Sequence, residues 1–136
     1  MKRYNRIAKS LIPDIIPALE GAHEKWIRGE SQTEKTYVDW WWAEGKFPCS
    51  LCHFKDNHKE KCPLADKPCG HELNGTGCAI EWNRCKDAIR NHDFPEYHKQ
   101  SALMRDRIGE LLDKARDMHA RTIHAVKGDI DNVQNS

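Results

Sequence analysis

The side chains best equipped for chemistry in this sequence are its six cysteines. All lie between Cys49 and Cys85, with His53, His58 and His71 threaded among them. Their spacing is C-x2-C-x9-C-x6-C-x8-C-x6-C. A C-x2-C turn such as Cys49-Ser50-Leu51-Cys52 presents two thiolates to one ion, and zinc completes its tetrahedron with two further ligands. Those two come from Cys62, Cys69, Cys78, Cys85 or the imidazoles of His58 and His71. With no second C-x2-C, the spacing leaves that pair open.

Structural zinc is the leading reading of this knot, and three others stand beside it. An iron–sulfur cluster also takes four thiolates, although neither common ferredoxin spacing is present. Disulfides would suit an exported chain. Cys49-Ser50-Leu51-Cys52-His53 is also a literal C-x-x-C-H, the pattern of covalent haem attachment, with His53 as the iron ligand. Disulfides and haem attachment both go with export. The apolar stretch 7–16 is too short for a signal sequence and is broken by Lys9, Pro13 and Asp14. A cytoplasmic location is therefore expected, where clustered thiols bind metal more often than they pair.

Composition sets the frame around the knot. With 136 residues, 38% hydrophobic and 32% charged, the chain reads as one domain short of aliphatic core, for which a staple compensates. Its 22 Lys and Arg against 21 Asp and Glu give no global basic field, so nucleic acid is not favoured and a protein partner is expected. No window approaches the about 18 apolar residues of a membrane span. Gly-rich phosphate loops, G-x-S-x-G and H-E-x-x-H are all absent, which weighs against an enzyme.

The elements that must position the knot are helical. Ile12, Ile15, Leu19, Ala22 and Trp26 recur at spacings of three and four, which predicts a helix over about 14–28 with Gly29 as its stop. Ser31 and Glu34 have the form of a capping box that restarts a helix toward Glu44. On that helix Tyr37, Trp40 and Trp41 share one face, while Val38 and Trp42 fall on another. The aromatics read chiefly as core beside the knot, with a stacking or partner-binding platform as the functional alternative. A short helix is expected over 79–91, then a break at 92–94. Asp93 and Glu96 form a second capping box, with Pro95 tolerated in the first turn. Met104, Ile108, Leu111, Ala115, Met118, Thr122 and Ala125 stripe a long helix that should end at Lys127 and Gly128. Arg107, Lys114 and Arg121 repeat every seven residues along one flank. They read as a solvated flank pairing with nearby acids, or alternatively as a docking strip for a phosphate backbone.

Several short pieces resemble a loose group of small Cys-rich proteins common in phages and prophages. They are Ala18-Leu19 through Lys25-Trp26, Cys49-Ser50-Leu51-Cys52, Cys62-Pro63-Leu64, Gly77-Cys78 and Trp82. The resemblance implies a small metal-binding fold with Cys49, Cys52, Cys62 and Cys78 at the shared positions, and a host cytosol as its setting. Lys59 stands where the group often has a cysteine, with His58 beside it as a substitute. Cys69 and Cys85 are additions that, with His71, would complete a second site.

The expectation is a mostly α domain over 1–128, with antiparallel N- and C-terminal helices stapled by the metal-binding knot at 49–85 and a disordered tail at 129–136. For function it is a phage-type zinc-binding protein-interaction module acting on a host or defence factor. The alternatives are a zinc-finger-like nucleic-acid-binding regulator and an iron–sulfur or c-type haem redox protein.

Overall fold

The computed structural model describes residues 9–47, 50–52, 54 and 79–135, which contain four α-helices and no strand. Helix α1 spans Ile12–Glu30 and follows a 3-10 turn at Lys9–Leu11. Helix α2 is a single turn, Tyr37–Trp40, continued by a π turn at Trp41–Gly45. Helix α3 is Ile80–Arg90 and α4 is Phe94–Asn135.

Helix α1 starts two residues before the predicted point, at the Ile12-Pro13 step, where a missing N–H costs nothing. Pro17 therefore lies inside the helix rather than in its first turn. It and Pro13 are both exposed, so the carbonyl left without a helical donor faces water. Gly29 is not a stop. The helix runs through it to Glu30, and Ser31 closes the end by donating its hydroxyl to the Arg28 carbonyl at 2.9 Å. Ser31 therefore caps a C-terminus instead of opening a capping box, and the next helix begins only at Tyr37.

The two long helices run antiparallel, as their pairings show. Glu20 pairs with Arg116 at 3.2 Å, and a Cβ on Gly109 would meet His23 Nε2 at 3.0 Å. Glu30 pairs with Arg105 at 3.0 Å and His98 at 3.1 Å. Rising numbers on α1 thus match falling numbers on α4. Between these polar margins Ile15, Leu19, Ala22 and Trp26 are buried, and so are Met104, Ile108, Leu111 and Ala115 on α4. Each large apolar side chain in that seam contributes about 1.5–3 kcal/mol.

Helices α3 and α4 form a hairpin through Asn91-His92-Asp93. His92 adopts φ 51, and the His92 and Asp93 amides donate back to Ile89 and Ala88 at 3.3 and 2.8 Å. This is a Schellman turn with histidine in the position glycine usually holds. Asp93 then caps α4, accepting the Glu96 amide at 3.2 Å, so one arm of the predicted capping box forms. Inside the hairpin Arg107 pairs with Glu81 at 2.9 Å, with side-chain exposures of only 8% and 2%. The proposed basic column is broken there: Arg107 faces α3 inside the protein, while Arg121 pairs with Asp117 one turn away. The other end of α4 also departs from expectation. The helix passes Lys127 and Gly128 without stopping and reaches Asn135.

Candidate functional site

The aromatic run of α2 sets the centre of the molecule. Tyr97 of α4 is fully buried and donates its hydroxyl to the Gly29 carbonyl at 2.8 Å. Around it stand Tyr37, with ring centroids 5.1 Å apart, and Trp40 at 6.4 Å, edge-on. Trp40 meets Trp26 at 5.6 Å, also edge-on, as aromatic quadrupoles prefer. The Trp40 ring fits only because Gly29 and Gly45 border it: a Cβ on Gly29 would stand 2.5 Å from its Cη2, and one on Gly45 closer still to Cζ3. Burial raises the Tyr97 phenol well above its ordinary pKa, with the Cys85 and Glu30 charges adding to the effect.

This box holds the base of the Cys-rich segment. Trp82 lies 5.1 Å from Trp41 and donates its indole N–H to the Gly45 carbonyl at 3.3 Å. The end of the π turn at Gly45 and the first turn of α3 are thus held side by side. Entry is fixed by α1. Lys25, 7% exposed, donates Nζ to the Phe47 carbonyl at 2.6 Å, with Trp26 beneath it at 5.5 Å. The Ser50 hydroxyl donates to the Ala18 carbonyl, and a Cβ on Gly21 would meet Ser50 Oγ at 2.8 Å. Leu51 and Phe54 are buried in the core, and Cys52 is half-buried. Both residues inside the C-x2-C turn therefore anchor it, Ser50 on the α1 backbone and Leu51 in the core.

Of the eight candidate ligands, Cys49, Cys62, Cys69, Cys78, His58 and His71 lie outside the described residues, as does His53 of the haem reading. Cys85 sits on the core face of α3, its thiol directed at the Tyr97 carbonyl at 4.0 Å. Desolvation, then the charges of Glu81 and Glu96, push that thiol far above its ordinary pKa. Among the described residues no three His, Cys, Asp or Glu side chains gather as metal ligands. None of their helices is long and apolar enough to cross a membrane.

The described surface carries one feature that the sequence pattern only half revealed. Of five tryptophans, Trp26, Trp40, Trp41 and Trp82 are at most 8% exposed, whereas Trp42 is 58% exposed. Phe47 is 50% exposed, and the Lys46 ammonium lies 4.6 Å from the Trp42 ring and 5.0 Å from that of Phe47. Beside this ledge a cleft of about 280 Å³ opens between α1 and the π turn, bordered by Ala43, Phe47, Ser50, Arg28 and Glu44. That is below the roughly 300–1,000 Å³ of small-ligand pockets. Glu44 is occupied: it accepts from Arg28 Nε at 3.0 Å and from the Trp40 indole at 2.9 Å. The Arg28 hydrogen bond leads in holding its carboxyl below the usual range, helped by Trp40 and the Arg28 and Lys25 charges.

No family model, curated protein or solved structure matches the chain. Of the residues singled out by the sequence, Ala18, Lys25, Ser50 and Trp82 each take part in a long-range hydrogen bond. Lys25 holds the approach to the C-x2-C turn, Ala18 receives its serine, and Trp82 closes its base.

Proposed function

We propose that this chain is a metal-stapled helical interaction module. Its Cys-rich segment holds structural zinc, and its Trp42–Lys46–Phe47 ledge docks a protein partner, such as a host or defence factor in a phage setting. The observation that carries the docking half is the contrast among the tryptophans: four are buried and Trp42 is open beside Phe47. Exposed Trp with an adjoining apolar ring is the usual anchor of a protein interface. The metal half is supported by donor chemistry, six thiols with imidazoles between them, and by the fixed seat of the C-x2-C turn. Four protein ligands would leave zinc no open coordination position, so the ion is structural rather than catalytic. Its binding would contribute on the order of 10 kcal/mol to folding.

Parallel affinity capture tests the docking half, using the wild-type chain and the Trp42→Ala/Phe47→Ala variant with matched circular dichroism. The expected result is a partner retained by the wild type and lost by the variant. Identical captures by both proteins overturn the reading. A gel shift with labelled DNA and RNA at low salt is expected to show no retention. Salt-sensitive retention would favour the nucleic-acid alternative instead.

A further inference from the structure

We infer that the ledge accepts a partner segment carrying a carboxylate next to an apolar side chain, with the carboxylate on Lys46 and the apolar group over Trp42 and Phe47. This rests on the docking reading above and names the chemistry of the partner. The argument starts from the geometry of the cation. The Lys46 ammonium lies over both exposed rings, and among the described residues it makes no ion pair. A partner that covers Trp42 and Phe47 must therefore take Lys46 out of water as well. An ammonium buried without an anion is strongly unfavourable, so an apolar partner surface alone would be rejected. The partner has to bring the anion.

The surroundings decide how much anion. Glu44 cannot serve, because Arg28 and the Trp40 indole already occupy its oxygens. Asp39 lies one helical turn before Trp42, and Glu24 acts on Arg28 from α1. A single cation with no ion pair among the described residues, on a stretch that also carries Asp39 and Glu44, suits one acidic side chain better than a polyanion. The rest of the molecule agrees: Arg107 is committed to Glu81, and Arg121 and Arg116 pair with Asp117 and Glu20. No row of unpaired arginines is left on α4 for a phosphate backbone to follow. The cleft bordered by Phe47 accommodates a side chain of the same partner segment.

The test is a selection of random short displayed peptides on the full, metal-loaded chain, followed by fluorescence anisotropy of the enriched sequences. Enriched peptides are expected to carry Asp or Glu beside an apolar residue. Lys46→Glu should weaken them about tenfold, and Lys46→Arg should bind nearly as the wild type does. Exchanging the peptide's acid for lysine should restore binding to Lys46→Glu, a charge swap that a merely structural role for Lys46 would not produce. Trp42-dependent peptides without an acid, or indifferent to Lys46→Glu, overturn this inference and leave the docking reading standing. If nothing binds in a Trp42-dependent way, the docking reading falls. Trp42-dependent binding of labelled single-stranded DNA overturns the inference in favour of a nucleic acid.

Discussion

Residues 37–47 carry two aromatic clusters that share one helical run and do opposite things. Tyr37 and Trp40 close around Tyr97 and Trp41 packs on Trp82 in the interior, while Trp42 and Phe47 stand in water around a lysine. Composition does not separate them, because adjacent tryptophans, Trp41 and Trp42, fall on opposite sides. What separates them is what lies across from each. Trp40 faces two glycines that leave room for its ring, and Trp41 faces Trp82. Trp42 is left to the outside, with the Lys46 ammonium over its ring. Aromatic density marks where a surface is worth burying; the opposing backbone decides whether the protein buries it itself.

Five substitutions at four positions sharpen that contrast. The largest loss is expected from Tyr97→Ala, which empties the middle of the box and orphans the Gly29 carbonyl, at about 3–5 kcal/mol by urea unfolding. Tyr97→Phe should cost only about 1 kcal/mol, the share of its hydrogen bond. Next comes Gly29→Ala. Its methyl would press on Trp40, and a cost of about 1–3 kcal/mol is expected with a change in near-ultraviolet circular dichroism. A neutral result would mean that the ring does not pack where the structure puts it.

Glu44, which ties the Trp40 indole to Arg28, makes the smaller, pH-dependent test. Its carboxyl is held below the usual range by Arg28 first and by the Trp40 indole as well. A lowered folded-state pKa gives stability that is present above the unfolded value and lost as pH falls through the folded one. Melting curves of the wild type should therefore lose stability on acidification below about pH 4 more steeply than those of Glu44→Gln. Parallel curves would remove Glu44 from the account. Smallest of all, Trp42→Ala should shift stability by no more than about 0.5 kcal/mol, since it touches water. A cost of core size there would erase the distinction between ledge and box.

Much of the scaffold was legible in the sequence because it follows from periodicity. The α1 stripe, the α4 stripe from Met104 to Ala115 and the α3–α4 break appear close to where spacing puts them, as does the shared face of Tyr37, Trp40 and Trp41, whereas Met118 and Thr122 of the expected stripe are exposed because no described element packs on α4 there. The misses have local causes. Gly29 reads as a helix stop, but a ring on another element uses its bare Cα. Ser31 and Glu34 match a capping box, yet the serine is better used by the Arg28 carbonyl. Arg107 fits a seven-residue surface column, and only the position of α3 shows that Glu81 draws it inside. The seat of the C-x2-C turn was half legible. The pieces Lys25-Trp26 and Ser50-Leu51 were visible as a pattern, but that Lys25 holds the Phe47 carbonyl and Trp82 the Gly45 carbonyl depends on long-range packing that no spacing encodes.

The claim on which the proposed module rests is that a thiolate-bound ion holds the Cys-rich segment together. Elemental analysis of the native protein, with hydrogen exchange before and after a strong chelator, addresses it directly. The account predicts bound zinc, and after chelation a loss of protection at residues 50–54 and 79–82 while the α1 and α4 core keeps its own. Native protein free of zinc and iron, with exchange indifferent to the chelator, would contradict it.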